Sequence, residues 1–467
     1  MTFDAAALAT RINQAAHGLE VSALEASVTV GADHTWSVLN GRTGRTVDAG
    51  GAIAKVTAAL SSFDAPAEVD ADLVTATVEP TVSTDEATAA KAAADRMTAP
   101  ITVAVDDKKV TIATDKLRPL VTFGPTADGG SITPALDEAG LDPILATLVP
   151  KVNQPARDAG LKLVGGHVVA THASREGRTL DTAGMKAALI REIGARQGGA
   201  AASQVTAVVT AVAPKLTTAD AKAFAPKMKM ISAYSVYYFV IVNNHWGGNI
   251  EGPATVINGT VVPSGAKFDF WKVVGDLRDA PGTGPGNAIE GGKITVTGAF
   301  GGGICTTSTT LFNAAFRAGM IPLARQNHNE FINRYPPGLD ATVWIIGKAK
   351  QTMSFRNDTE YPILITRTVT GNNSKRWLTF KIWSVPNHRK ATITNTVIQP
   401  GERAVHRTVK DPTKPVGYRF FNNAAVNGAR VWTTVTIYDH GQVHWRKRYY
   451  SNYPAVDGVT IVGTRAS

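Results

Sequence analysis

The hydrophobic pattern of the N-terminal part of the chain switches between helical and strand periods in a repeated order. Apolar residues fall at helical spacing over Ala5–Ala16, Gly51–Leu60, Leu141–Val152 and Gly184–Ile193. Alternation of apolar and polar positions marks strands at Val74–Val78 and Val208–Val212, each running into a proline and a Thr-rich turn. Glu25–Asp48 aligns with Asp158–Asp181 without a gap: Ala26 meets Ala159, Val28 meets Leu161, Val30 meets Leu163 and His34 meets His167. The run Gly44-Arg45-Thr46-Val47-Asp48 meets Gly177-Arg178-Thr179-Leu180-Asp181 at the same offset of 133 residues. These matches predict two copies of a small helix–strand–helix–strand module. The matched histidines sit in expected turns, where a solvated ring is the ordinary outcome.

Between the copies, Ile101–Phe123 alternates around Asp106-Asp107-Lys108-Lys109 and reads as a hairpin. After Pro226 the pattern changes. An apolar strand is expected over Ile231–Val242, then a loop rich in Gly and Pro over Asp279–Asn287. Leu311, Phe312, Ala315 and Phe316 form a helical stripe that ends at Gly319, a residue suited to a C-terminal cap. From Trp377 to Ser467 short alternating strands follow one another, with Asn427-Gly428 and Asp439-His440-Gly441 as turns. The expected architecture is multidomain α+β. It divides into a first repeat (1–92), a hairpin connector (93–132), a second repeat (133–226), an α+β domain (227–375) and a C-terminal all-β module (376–467).

The candidate chemistry centres on Gly301-Gly302-Gly303-Ile304-Cys305, where three glycines lead to the single cysteine of the chain. Glycine reaches φ > 0 and admits close approach of other groups. Cys305 is expected at the start of the following helix, where unpaired N–H groups and the macrodipole favour a thiolate. A buried, inert cysteine is the other reading of the same residues. One cysteine excludes internal disulfides and zinc sites built from several thiols, and no metal or cofactor is expected.

The net charge of +10 is unevenly distributed. Acids dominate between Asp64 and Asp95, whereas from Lys381 onward Lys and Arg outnumber acids by roughly three to one. A polyanionic partner follows, either nucleic acid or an anionic cell wall. The basic residues are scattered along expected strands and form no nucleic-acid motif, which disfavours the first. No apolar run is long enough to span a membrane. Met1-Thr2-Phe3-Asp4 lacks the basic start of a signal peptide, so the expectation is a cytosolic protein or an ectodomain without its anchor.

The segment from about Ile231 to Arg367 resembles the VanW domain. The motifs that carry the resemblance are Gly301–Thr310, Asn327-His328-Asn329, Pro336-Pro337-Gly338-Leu339-Asp340-Ala341-Thr342-Val343, Phe355–Thr359 and the turn Val262–Gly265. Thr306 and Gln326 depart from the family pattern, which commonly has Gln and His there. The two N-terminal copies resemble peptidoglycan-binding-like modules, and the C-terminal part is similar, more loosely, to glycine-patterned β modules. The resemblance implies an extracytoplasmic cell-wall protein with a membrane tether outside this chain. It implies peptidoglycan stem peptides and glycan as partners, and no nucleic acid. Some such proteins are cysteine L,D-transpeptidases that form 3–3 cross-links.

On that reading Cys305 is the nucleophile and His328 its base or imidazolium partner. Asp340 orients the ring, with Asn329 as second choice. Backbone N–H groups of Cys305 and Thr306 would form the oxyanion site. Gly302, Gly303, Thr306, Ser308, Thr309, Asn329, Tyr335 and Arg356 are expected around the substrate, with Arg356 on a stem-peptide carboxylate. Two other readings stand beside this one: a non-catalytic wall-binding scaffold, and a thiol peptidase that cuts stem peptides.

Overall fold

The computed structural model describes residues 3–240, 245–290 and 293–466. The chain divides into two compact units. One comprises Met1–Pro155 and Gly177–Val212; the other comprises Ala156–Glu176 and Ala213–Ser467. Small, mostly antiparallel sheets are interleaved with helices as far as Arg317, and among the described residues only strands follow, an α+β arrangement.

The core of the first unit gathers Met97, Ile101, Val103, Leu117, Leu141, Leu145, Met185 and Leu189. Strands Ile101–Val105 and Lys108–Ile112 pair across Asp106-Asp107, with Asp106 at φ +47°. That is the expected hairpin, and Val205–Thr206 extends it in parallel.

The repeat offset recurs in the hydrogen bonds. Within the first unit Arg45 Nε donates to Leu19 O at 2.9 Å, and Arg178 Nε donates to Val152 O at 3.0 Å. Glu25 accepts from the Val82 amide at 2.5 Å. In the second unit Asp158, at the matching position, accepts from the Lys215 and Leu216 amides at 2.6 and 3.0 Å. A carboxylate that ties a strand start to the next segment is thus placed identically in both copies. The expected single strand in each copy is a hairpin: Ser27–Val30 with Trp36–Leu39, and Leu161–Val164 with His167–Ala170. His34 occupies the first turn at φ +58°, but the second turn is Gly165-Gly166 and His167 lies in a strand. Both rings are exposed, and the boundary between the units falls inside the second copy, between Glu176 and Gly177.

The second unit is built on an antiparallel sheet of Lys229–Phe239, Lys375–Ser384, Ile363–Gly371 and Val261–Val262, in that order. The strand expected over Ile231–Val242 is Lys229–Phe239, and residues 241 and 242 lie outside the described residues. Lys375–Ser384 is a central strand of this sheet, so the expected boundary at 375/376 moves beyond it. The strands after it form two further sheets, Arg389–Pro400/Ala429–Asp439/Gln442–Tyr453 and His406–Pro415/Gly458–Arg465/Arg419–Asn423. His440 and Gly441, at φ +49° and +81°, make the expected two-residue turn between Ala429–Asp439 and Gln442–Tyr453. Asn427-Gly428 makes no hairpin, because the strands that flank it belong to different sheets.

Helix Cys305–Arg317 is the hub of this unit. Leu311, Phe312, Ala315 and Phe316 are buried with Phe380 and Ile382 of the central sheet and with Val435 and Tyr449 of the C-terminal strands. The helix ends in a Schellman motif: the Gly319 amide donates to Phe316 O at 2.9 Å and the Met320 amide to Ala315 O at 3.1 Å. Gly319 has φ +86°, and a Cβ there would lie 2.6 Å from Arg389 Cβ. Among the described residues no helix is long and apolar enough to cross a membrane.

Gly319→Ala combines left-handed strain with this overlap. It is expected to lower the stability of the second unit by about 1–2 kcal/mol or more. Denaturant unfolding followed through the tryptophans of this unit checks it; an unchanged midpoint refutes the cap assignment.

Candidate functional site

The turn before the helix has the conformation that its glycines permit: Gly301 has φ +86° and Gly303 has φ +109°. A Cβ on Gly301 would lie 2.5 Å from Leu277 Cδ2, and one on Gly303 would lie 3.1 Å from Trp246 O. Asn249, fully buried, staples this turn to the Gly- and Pro-rich loop. Its Nδ2 donates to Gly302 O and Gly284 O at 3.0 Å each, and its Oδ1 accepts from the Gly284 amide at 2.9 Å. Cys305 is consequently the first residue of the helix, after Ile304 at the cap.

The Ser/Thr run after Cys305 docks the helix and is closed to a ligand. Thr306, Ser308 and Thr309 are each 0% exposed. Thr306 Oγ1 and Tyr335 Oη share a hydrogen bond of 2.9 Å. Thr307 donates to Ile250 O, Ser308 and Thr309 donate to Ala341 O, and Thr309 Oγ1 accepts from the Ala341 amide. The expectation that Thr306, Ser308 and Thr309 contact substrate is therefore corrected: unpaired hydroxyls in a core are costly, and these are used to seat the helix on the 339–343 segment. The Thr306 amide is also occupied, donating to Gly303 O at 2.9 Å, which removes it from the expected oxyanion site.

That seating brings the Pro-Pro-Gly segment to the sulfur. Thr342 Oγ1 lies 3.2 Å from Cys305 Sγ, and the Val343 amide donates to Sγ at 3.5 Å. Neither residue stands out in the sequence as a site residue, although both lie inside the Pro336–Val343 motif. His328 stands in the loop after Ile321–Ala324, near enough for its charge to act on the sulfur. Its Nδ1 is 2.6 Å from Asp340 Oδ2, which leaves Nε2 free of that bond. Asn329 is exposed and is not the orienter; Asp340 is. The same Oδ2 accepts from the His328 amide at 2.7 Å. Oδ1 accepts from Arg325 Nη2 at 2.8 Å and from Tyr453 Oη at 2.5 Å. Arg325 and Tyr453 carry no signal in the sequence, since neither belongs to any of its motifs.

The electrostatics follow from this packing. Burial alone would push the Cys305 thiol up, but the charge and hydrogen bond of His328, with Thr342 and Val343, hold it below its ordinary value. Burial alone would push His328 down; the sulfur and Asp340 together raise it well above its usual value. Burial works against the Asp340 carboxylate too, yet its donors, His328 first, bring it down to about 2. All three shifts run toward a thiolate and an imidazolium held by a carboxylate, the pairing that suits nucleophilic attack on a carbonyl.

Of the other expected residues, Gly302 and Gly303 shape the turn. Tyr335 is buried beside the His328 ring at 5.5 Å. Arg356 is exposed on strand Ser354–Arg356. Among the described residues no hydrogen bond or ion pair joins Arg356 to Cys305 or His328.

Residues 247–383 match the family model described as VanW like protein. Cys305, His328 and Asp340 all lie within the matched segment. YoaR of Bacillus subtilis (strain 168), described as an uncharacterized protein, is 37% identical over 130 residues, 28% of this chain and 41% of that protein. The match thus spans less than half the length of that relative. A solved structure titled "Crystal structure of HP0197-G5" aligns with 16% of this chain and 97% of its own, at 12% identity and a TM-score of 0.10. A likeness that weak has no bearing on the fold or the site.

Because the Cys305 thiol is depressed, its thiolate persists below the usual thiol range near 8.5 and is lost only as pH falls through the lowered value. Asp340→Asn weakens the hold on the imidazolium and moves that titration step to higher pH. Alkylation of Cys305 by iodoacetamide at neutral pH is expected to slow severalfold, as the thiolate fraction falls. A pH profile that does not move in Asp340→Asn would contradict the assignment of Asp340 as orienter.

Proposed function

We propose that this protein is a cell-wall cysteine acyltransferase, an L,D-transpeptidase that joins peptidoglycan stem peptides through a thioester on Cys305. The observation that carries the reading is the Cys305–His328–Asp340 constellation, in which an imidazole held by a buried carboxylate lies near enough for its charge to lower the thiol. The VanW-like match and the basic C-terminal part support a cell-wall location. The two N-terminal copies fit a role in holding peptidoglycan, with stem peptides and glycan as partners.

In the first half-reaction the Cys305 thiolate attacks the carbonyl carbon at the L-centre of diaminopimelate in a donor tetrapeptide. The carbonyl electrons move to oxygen. The Thr342 hydroxyl and the Val343 amide face the sulfur and are the nearest donors for that oxyanion. A single such donor is typically worth about 3 kcal/mol in comparable sites. Collapse breaks the C–N bond, and the His328 imidazolium gives its proton to the leaving amine, so D-Ala departs and a thioester remains. In the second half, the amine of another stem attacks the thioester. His328 takes its proton, the new amide forms and the thiolate is restored. Asp340 stays ionised throughout and keeps the ring in register. Water in place of the amine gives the peptidase outcome from the same thioester.

The scaffold reading calls for a thiol walled in by aliphatic side chains. Cys305 does pack against the apolar core, but its Sγ also meets the Thr342 hydroxyl and both the amide and the carbonyl of Val343, and the residue is only half-buried.

Incubation with disaccharide-tetrapeptide is expected to add the donor, less D-Ala, to the mass of the protein through Cys305. Addition of a second stem peptide then gives a cross-linked dimer. Cys305→Ala abolishes both signals and His328→Ala slows the first by several orders of magnitude. No adduct, dimer or D-Ala release from the intact protein would sink the acyltransferase.

A further inference from the structure

A pocket of about 170 Å³ opens beside the VanW-like site, lined by Tyr237, Tyr238, Phe239, Trp246, Asn333 and Arg334. It adjoins the glycine turn through Trp246, whose backbone oxygen would lie 3.1 Å from a Cβ on Gly303. It adjoins the cysteine helix through a short relay. Arg334 Nη2 donates to Tyr335 Oη at 3.2 Å, and Tyr335 Oη is 2.9 Å from Thr306 Oγ1, one residue past Cys305. The guanidinium is held in place by rings, 4.7 Å from the Tyr335 centroid and 6.0 Å from that of Trp246.

Arg334 is otherwise unused. Its Nε is buried without a hydrogen-bond partner, and among the described residues no carboxylate forms an ion pair with it. Glu330 is near enough to feel the charges of both His328 and Arg334, but burial pushes its carboxyl up, toward the neutral form. A guanidinium fixed by aromatic rings and without an ion pair among the described residues suits a planar anion from outside, which its Nη atoms rather than the buried Nε would meet. The pocket is smaller than a drug-sized ligand site, about 300–1,000 Å³, and suits a single small residue.

We propose that Arg334 binds the free C-terminal carboxylate of the donor peptide, with the last residue of that peptide in the Tyr237–Trp246 pocket. This rests on the acyl-transfer reading for which substrate is meant, but not for its test. The assignment replaces Arg356 as the carboxylate partner. It also makes the site selective for a peptide whose scissile bond lies one residue from a free C-terminus, because a longer peptide places an amide where the guanidinium requires an anion.

The test uses the full chain carrying Cys305→Ala, so that binding is read without turnover. Its ligands are disaccharide-tetrapeptide with a free C-terminus and the same compound as its C-terminal amide, compared by calorimetry. The acid is expected to bind about tenfold or more tighter than the amide, as loss of a charge-assisted bidentate contact requires. Adding Arg334→Gln is expected to erase that preference while leaving affinity for the amide in place, and Arg334→Lys to restore part of it. A far-ultraviolet spectrum and unfolding midpoint matching those of the parent establish that the variants are folded. Equal binding of acid and amide, retention of the preference in Arg334→Gln, or no binding of either ligand would overturn the proposal. The two readings fail separately. Discrimination by Arg334 without any thioester on the wild-type protein removes the acyltransferase alone, whereas thioester formation at equal rates from acid and amide removes the role of Arg334 alone.

Discussion

The carboxylate of Asp340 is the contact on which the rest of the site depends. It is almost wholly buried and accepts four hydrogen bonds, from the His328 amide and ring, Arg325 and Tyr453. A buried charge is tolerated only when its lone pairs are filled in this way, and removing one partner from such a group typically costs about 3–5 kcal/mol. The network therefore does two things at once. It stabilises the loop that carries His328, and it sets the tautomer and direction of the ring.

Those donors come from separate parts of the second unit. Arg325 follows strand Ile321–Ala324, while Tyr453 ends strand Gln442–Tyr453 of the C-terminal sheets. The C-terminal strands also supply Tyr449 to the core under the Arg325 guanidinium, 5.4 Å from its ring centroid. They accept from Asn327 Nδ2 at Asn452 O, 2.8 Å away, and donate from Thr433 Oγ1 to Pro337 O at 2.9 Å. Gly338, at φ +68°, lets that close approach happen, since a Cβ would lie 2.9 Å from Thr433 Oγ1. The β segment that reads as an appended module is thus part of the wall of the site.

The Ser/Thr run shows how one composition serves two ends. Hydroxyls directly after a nucleophile suggest substrate contacts, yet here they satisfy carbonyls of the 339–343 segment and of helix Trp246–Ile257. This leaves the donors that face the sulfur, Thr342 and Val343, on the opposite segment. The helix is consequently locked in rotation, and Cys305 at its first turn has one direction in which to point.

Much was legible along the chain. The glycine turn, the helix after Cys305 and its cap at Gly319 follow from local rules: φ > 0 needs glycine, and a stripe of apolar residues needs a core. The repeat offset and the Asp106-Asp107 hairpin are equally local, and the nearness of Cys305, His328 and Asp340 came through motif resemblance. What only the tertiary structure decided is which groups meet across long separations: Tyr453 with Asp340, Asn249 with Gly302, and Arg334 with Trp246. Periodicity records whether a residue faces inward, but a hydrogen bond between distant residues depends on how sheets and helices stack, and that information is spread over every packed side chain between them.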